Sequence, residues 1–262
     1  MIDTHCHLGD EQFDSDRDSV IARAVSAGVE QLICIGTTLA SSREAIRIAE
    51  TYANVFAAVG IHPNSCADAV SGDWEAVIAL LDHPRVVALG ETGLDRHWDF
   101  APIELQIDYF DRHMHMAQQR GLPFIVHCRD AQAETMPMLH EAAIRGPLRG
   151  IMHAFAGDAA MAAECIELGL HVSFAGSVTY KNKKFDSIRE AAKSIPADRI
   201  LTETDSPYLT PEPLRGKQQR NEPAQVIHTA AALAALRGLA PAEFDHQTTA
   251  NARRLFGIDA NV

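Results

Sequence analysis

His5 and His7 stand one residue apart near the start of the chain, and imidazoles so spaced can share a metal ion. On an extended segment residues i and i+2 project from one face, roughly 6 to 7 Å apart, so both rings reach one centre while Cys6 points away. Two nearby histidines also arise by chance on surfaces, so the weight of the pair rests on recurrence. His62, Glu91 with Asp95, His127, His153, and Glu203 with Asp205 each fall at or just past the end of a later short apolar run. Any one of them alone reads as well as a buried polar group that satisfies backbone. Gathered in one interior, these imidazoles and carboxylates would repel or desolvate one another unless cations neutralised them. The chemistry they point to is coordination of divalent metal.

Such a gathering needs elements that bring distant segments to one place. Apolar runs of strand type occupy 2–5, 31–36, 55–60, 86–91, 124–127, 150–153, 171–174 and 200–204, eight in all. Amphipathic helical segments lie between them at 16–27, 42–52, 74–81, 104–119, 134–144, 159–168 and 185–194. Gly28, Gly121, Gly146 and Gly169 stand just beyond four of these, where helices commonly end. The alternation predicts an α/β fold, a single-domain (β/α)8 TIM barrel over 1–262. A doubly wound open sheet is disfavoured, because no Gly-rich phosphate loop follows the first run. In a barrel the C-terminal strand ends converge on one mouth, where catalytic residues sit.

The same alternation sorts other candidates. Cys6 and Cys128 neighbour the proposed ligands, so both thiols should face the helices as core residues. A second His-x-His, His113 and His115, lies in a helical segment, where residues two apart do not face each other; both read as exposed helix histidines. Glu203 and Asp205 share a face, and Thr202 and Thr204 should pack outward.

Composition sets the bounds. The 262 residues, 47% hydrophobic, can bury one large core. Five cysteines without a C-x-x-C pair argue against a disulfide framework and for a reducing, cytoplasmic setting. No run approaches the ~20 apolar residues of a membrane span, and Asp3 and His5 interrupt any leader-like start. The net charge of −12 disfavours broad adhesion to nucleic acid, though not a nucleic-acid substrate gripped at one mouth.

The segments Asp3-Thr4-His5-Cys6-His7, Gly60-Ile61-His62-Pro63, Gly90-Glu91-Thr92-Gly93-Leu94-Asp95, Val126-His127-Cys128-Arg129-Asp130, His153-Ala154-Phe155-Ala156-Gly157, Glu203-Thr204-Asp205-Ser206-Pro207-Tyr208 and Asn221-Glu222-Pro223, in this order, resemble the TatD family of metal-dependent hydrolases. The resemblance runs nearly end to end and implies an amidohydrolase-like barrel. It further implies two divalent ions, Mg2+, Mn2+ or Zn2+: one held by His5, His7, Glu91 and Asp205, the other by Glu91, His127 and His153. A carboxylate with two oxygens can bridge ions roughly 3.5 to 4 Å apart, which suits Glu91. The catalytic residues implied are Asp205, which orients the water and takes its proton, Glu91, and Glu203 as an orienter of ligands. His62, Arg129 and Asp95 would meet the substrate; Arg129 reads as well as an ion-pair partner for Asp95 or Asp130.

The activity implied is hydrolysis of a phosphodiester by metal-activated water, most simply a 3′ to 5′ deoxyribonuclease acting on single-stranded DNA. The same site could serve a deacylase of mischarged aminoacyl-tRNA or a small-phosphoester hydrolase. A noncatalytic barrel would show degraded ligands, and none is degraded here. Ser177 and Ser206 lack a Ser-His-Asp arrangement, which argues against a covalent route. No membrane or obligate protein partner is expected.

Two basic clusters, Lys181, Lys183 and Lys184, then Arg215, Lys217 and Arg220, follow the seventh and eighth runs. They can hold phosphates at the mouth or be ordinary solvated surface. Trp98 and Tyr208 read as stacking surfaces or as rim packing. Departures from the family pattern are Asn64 in place of a frequent histidine, Ala154 in place of a frequent cysteine, Arg96-His97-Trp98 in place of an aromatic pair, and a longer 216–221 stretch. They bear on substrate choice, since none removes a ligand.

Overall fold

In the computed structural model, which describes residues 1–218 and 220–259, every one of the eight apolar runs is a strand. These are β1 (Ile2–Cys6), β2 (Gln31–Ile35), β3 (Val55–Val59), β4 (Val86–Asp95), β5 (Phe124–Arg129), β6 (Gly150–Met152), β7 (Leu170–Phe174) and β8 (Ile200–Thr202). They pair in parallel in chain order. Helices α1 (Arg17–Ser26), α2 (Leu39–Thr51), α3 (Asp73–Ala79), α4 (Ile103–Arg120), α5 (Gln132–Arg145), α6 (Ala159–Glu167) and α7 (Asp186–Ser194) alternate with them. The predicted TIM barrel is therefore the observed one.

Local signals place the helices. The Thr38 hydroxyl accepts from Ser41 N in a reciprocal capping box that starts α2, the Asp158 carboxylate accepts from Met161 N to start α6, and Gly121 closes α4 in a left-handed conformation (φ 65°). Strand alternation divides the core. Leu32 and Cys34 of β2 belong to the layer under the helices, whereas Ile33 and Ile35 fill the barrel interior with Phe56, Ala58, Ile125, Ile151 and Leu201. Cys6 is buried in the outer layer and Cys128 packs against it, as expected.

Closure occurs mainly beyond β8. His7 N donates to Ser206 O (2.8 Å) and Asp205 N to His5 O (2.9 Å). Asp3, inside the seam, accepts from Thr204 N (2.9 Å) and Thr204 Oγ1 (2.6 Å). Burial pushes the Asp3 carboxyl up to about 8 against these donors. Thr204 thus packs across the seam, where the outward placement expected of it does not hold.

Two further departures have physical causes. β4 runs on to Asp95, four residues past its apolar stretch, because Gly90 (φ 136°) and Gly93 (φ 128°) let it shift register against β5. A Cβ on Gly93 would lie 2.0 Å from His127 O, so only glycine allows the strands to approach this closely. His113, expected to be exposed, is fully buried: with Gln106, Phe110 and Ala117 it lies on the inner face of α4. Its Nε2 accepts from Ile61 N (3.1 Å) and its Nδ1–H donates to Tyr109 O (2.6 Å). His115 is exposed.

The last fifty residues add α8 (Val226–Arg237) and α9 (Pro241–Phe256), which no sequence expectation covered. Ala252, Leu255, Phe256 and Ile258 enter the interior cluster and plug the barrel base. Among the described residues no helix is long and apolar enough to cross a membrane. Residues 260–262, included in the single-domain expectation, and Gln219 of the long 216–221 stretch lie outside the described residues.

Candidate metal centre

Glu91 stands at the middle of the mouth, 3% exposed, and its two oxygens face two different groups. Oε2 lies 3.4 Å from His5 Nε2 and 3.7 Å from His7 Nε2, with Asp205 Oδ1 3.6 and 3.4 Å from the same two nitrogens. Oε1 lies 2.8 Å from His153 Nε2, 3.0 Å from His127 Nδ1 and 3.4 Å from His62 Nε2. Triads drawn from these residues have donor atoms within 4.8 Å of one another. All six residues expected to hold metal therefore meet at one place.

The hydrogen-bond partners of each ring decide which nitrogen carries its proton, and so which ring can offer a lone pair. His127 Nε2–H is taken by Asp95 Oδ2 (2.9 Å), leaving Nδ1 to face Glu91 as an acceptor. His153 Nδ1–H is directed at Glu203 Oε1 (3.3 Å), leaving Nε2. His62 is reversed. Its Nδ1 accepts from Asn64 N (3.0 Å), so the proton of the neutral ring sits on Nε2, the atom that faces the site. A protonated nitrogen cannot coordinate, and His62 is therefore a hydrogen-bond donor at the mouth.

Burial by itself would hold every one of these charges down. It acts on His5 and His62, whose pKa values are lowered. It also opposes the rise of His153, which the charge of Glu91 and the hydrogen bond to Glu203 nevertheless carry well above the ordinary value. Glu91, despite the same burial, is driven well below the carboxylate range by His153, His62 and His5. A buried carboxylate ringed by imidazoles accepts positive charge readily, whether as protons or as metal. His5 Nε2 and His7 Nε2 approach to 3.2 Å, and His5 Nδ1 is buried without a partner among the described residues. A nitrogen and oxygen donor set of this composition fits divalent zinc, manganese or magnesium.

Backbone strain and neighbouring groups hold the donors. Asp205 (φ 54°) and Ala154 (φ 41°) adopt left-handed conformations that non-glycine residues enter at a cost, and both adjoin the site. Glu203 Oε1 accepts from Ala154 N (2.6 Å) as well as facing His153, so it ties that turn to the ring. Asn221 Nδ2 donates to Thr204 O (2.9 Å) and Tyr208 O (2.6 Å), which ties down the loop after β8.

The expected substrate contacts scatter. Asp95 is 1% exposed, and its oxygens are taken by His127, Asn64 Nδ2 (3.1 Å), His97 N (2.8 Å) and Trp98 N (3.1 Å), so it positions His127 and leaves no edge for substrate. Arg220 is bound to Asp16 and Glu222 and covers Phe13, which neutralises its charge away from the centre. Arg129, Arg215 and Lys217 are exposed and form no salt bridge among the described residues. Arg129 thus pairs with neither Asp95 nor Asp130; its guanidinium lies 5.7 Å from the Trp98 ring centre, and that of Arg215 lies 3.8 Å from the Tyr180 ring centre. Lys181, Lys183 and Lys184 are exposed.

Sequence reasoning assigned no role to Asp3, Asn64, Gln106 or His113. Gln106 Oε1 accepts from Asp95 N (2.8 Å) and its amide donates to Asp95 O (3.1 Å), so α4 holds the end of β4. Its one sequence signal is a polar residue on the apolar face of a helix.

An eight-stranded parallel barrel with histidines and carboxylates converging at its C-terminal mouth defines a metal-dependent hydrolase. The family described as TatD related DNase matches residues 2–257. The chain belongs to that family. It is 40% identical over 259 residues to an uncharacterized metal-dependent hydrolase, YabD, of Bacillus subtilis, covering 99% of this chain and 100% of the relative. It is 36% identical to a protein of Klebsiella pneumoniae named 3′-5′ ssDNA/RNA exonuclease TatD, covering 100% and 99%. The crystal structure of YJJV, a TatD homologue of Escherichia coli, superposes with a TM-score of 0.91 at 29% identity over 99% of this chain and 98% of that one. An organophosphorus hydrolase mutant, 17% identical at a TM-score of 0.67 over 98% and 92%, shares the fold.

Proposed function

We propose that this protein is a nuclease that hydrolyses phosphodiester bonds at the ends of single-stranded DNA, with two divalent ions at the mouth of the barrel. The observation that carries this reading is the division of Glu91, with Oε2 toward His5, His7 and Asp205 and Oε1 toward His127 and His153. The first set and the second set would each hold one ion with Glu91 shared. Bound there, the ions would lower the pKa of water and stabilise charge on the phosphoryl and leaving oxygens.

The chain's own residues supply the remainder. Asp205, 14% exposed at its side chain, holds the attacking water in place and accepts its proton. His62 Nε2–H donates to a phosphoryl oxygen on the other side of Glu91. Glu203 and Asp95 keep His153 and His127 in the tautomers that face the centre. Arg129, Arg215 and Lys217, unpaired among the described residues, offer charge to neighbouring phosphates, a local attraction that the net charge of −12 does not cancel.

The test is metal-stripped protein, reloaded with magnesium, manganese or zinc, acting on end-labelled single-stranded DNA beside a Glu91→Gln control. Ladders shortening from one end, restored by metal and absent in the control, are expected. Full metal loading without DNA cleavage, together with turnover of an aminoacyl ester or a small phosphoester, would overturn the nuclease reading.

A further inference from the structure

We infer that Trp98 and Phe100, edged by Arg129, form a stacking subsite for the nucleobase beside the phosphodiester that is cleaved; the inference rests on the nuclease reading above. Both rings are large, apolar and open to solvent, Trp98 at 47% and Phe100 at 61% exposure; the other exposed aromatic among the described residues, Tyr208 at 51%, lies on the loop after β8. They stack on each other, with ring centres 5.6 Å apart and planes within 23°. Stacked in this way, the pair leaves an outer ring face on which a flat π-system can continue the stack. A flexible aliphatic partner would gain little from its planarity.

Three observations aim the surface at nucleotides. Trp98 N donates to Asp95 Oδ1, and Asp95 Oδ2 holds His127, so the platform is tied to the metal centre through one carboxylate. The guanidinium of Arg129 stands 5.7 Å from the indole centre. The neighbouring charges are engaged, Arg96 with Glu134 and His97 with Asp130, which leaves Arg129 as the cation beside the rings without a carboxylate among the described residues. Its planar face can lie along a base while its N–H edge meets the adjoining phosphate. Aromatic area and a cation unpaired among the described residues, tied through Asp95 to the proposed centre, match a base and its adjoining phosphate.

The chain holds two tryptophans, and Trp74 packs against Tyr109 and His113 elsewhere. Trp74→Phe therefore leaves Trp98 as the sole indole reporter. Titrating that variant, metal-free, with the dinucleotide d(TpT) is expected to quench its fluorescence saturably. Its analogue with tetrahydrofuran in place of both bases should quench little, as should d(TpT) on the variant that also carries Phe100→Ala. In steady-state cleavage, Trp98→Ala and Phe100→Ala should raise KM for an oligonucleotide with normal terminal bases by about 5- to 100-fold, the range expected for losing one stacked base. The change in kcat should be small. The same variants should act like the unmodified protein on an oligonucleotide with abasic ends. Equal losses on both substrates, or quenching indifferent to the bases, would overturn the platform. If no DNA is cleaved yet base-dependent quenching persists, the nuclease reading falls and the subsite stands; if DNA is cleaved with no dependence on the rings, the reverse holds.

Discussion

The proton on His62, His127 and His153 is fixed by a partner on the second ring nitrogen, and this separates His62 from the other two more sharply than distance does. His62 and His127 both approach Glu91 Oε1, at 3.4 and 3.0 Å, but Asn64 N donates to Nδ1 of His62, whereas Asp95 accepts from Nε2–H of His127. Partners of this kind commonly account for 10- to 100-fold in metal affinity or activity. Asp95→Ala should therefore weaken metal uptake by roughly that factor, read by titration calorimetry with zinc. Asp95→Asn, which keeps an acceptor for His127 Nε2–H, should recover part of it. An unchanged affinity in Asp95→Ala would show that His127 needs no such support.

At the scale of elements, the mouth depends on contacts that cross from one unit to the next. The loop after β3 carries His62, and it is anchored to α4 through Ile61 N and His113. Burial, with a smaller repulsion from Arg112, lowers the His113 pKa from an ordinary 6.5 to about 4, so the ring is neutral in the folded protein at pH 7. The sign follows. Below pH 6.5 the unfolded chain takes up a proton that the folded chain refuses, so this contribution is complete above 6.5 and is lost as pH falls toward 4. The slope from one such group is at most about 1.4 kcal/mol per pH unit. Urea denaturation at pH 7.0, 5.5 and 4.5 should show the stability of the unmodified protein falling more steeply than that of His113→Gln, whose amide does not titrate. Parallel curves would mean that His113 is protonated or solvated in the folded state.

For the whole molecule, activity and stability are divided between the two ends of the barrel. The mouth gathers buried charge and left-handed residues that cost folding energy, whereas the base is closed by α9 and by Arg149, whose Nη2 donates to Leu255 O (2.5 Å) and Arg254 O (3.1 Å). Phe256 belongs to the interior cluster and is 6% exposed. Removing a ring of this size from a packed core typically costs about 3–5 kcal/mol. Phe256→Ala should lower the denaturation midpoint accordingly while the folded fraction keeps its metal stoichiometry, since the ring packs within the interior apolar cluster. Loss of metal at temperatures where the protein is still folded would show that the two ends are coupled.

What the chain determines by itself is the repeat of short apolar runs and helical segments, and the placing of His5, His7, Glu91, His127, His153 and Asp205 at the ends of those runs. Both are local patterns: period and position survive without knowing what packs on what, and a parallel barrel then leaves one place where the ends can meet. Only the tertiary structure decided that Asp95 supports His127, that Arg220 is neutralised by Asp16 and Glu222, that His113 is buried, and that α9 plugs the base. Each of those depends on a partner from a distant segment. A hydrogen bond across some thirty residues, or an ion pair between Arg220 and Asp16, leaves no trace in residue type or spacing, because any carboxylate could have satisfied the same cation until the fold brought one of them within reach.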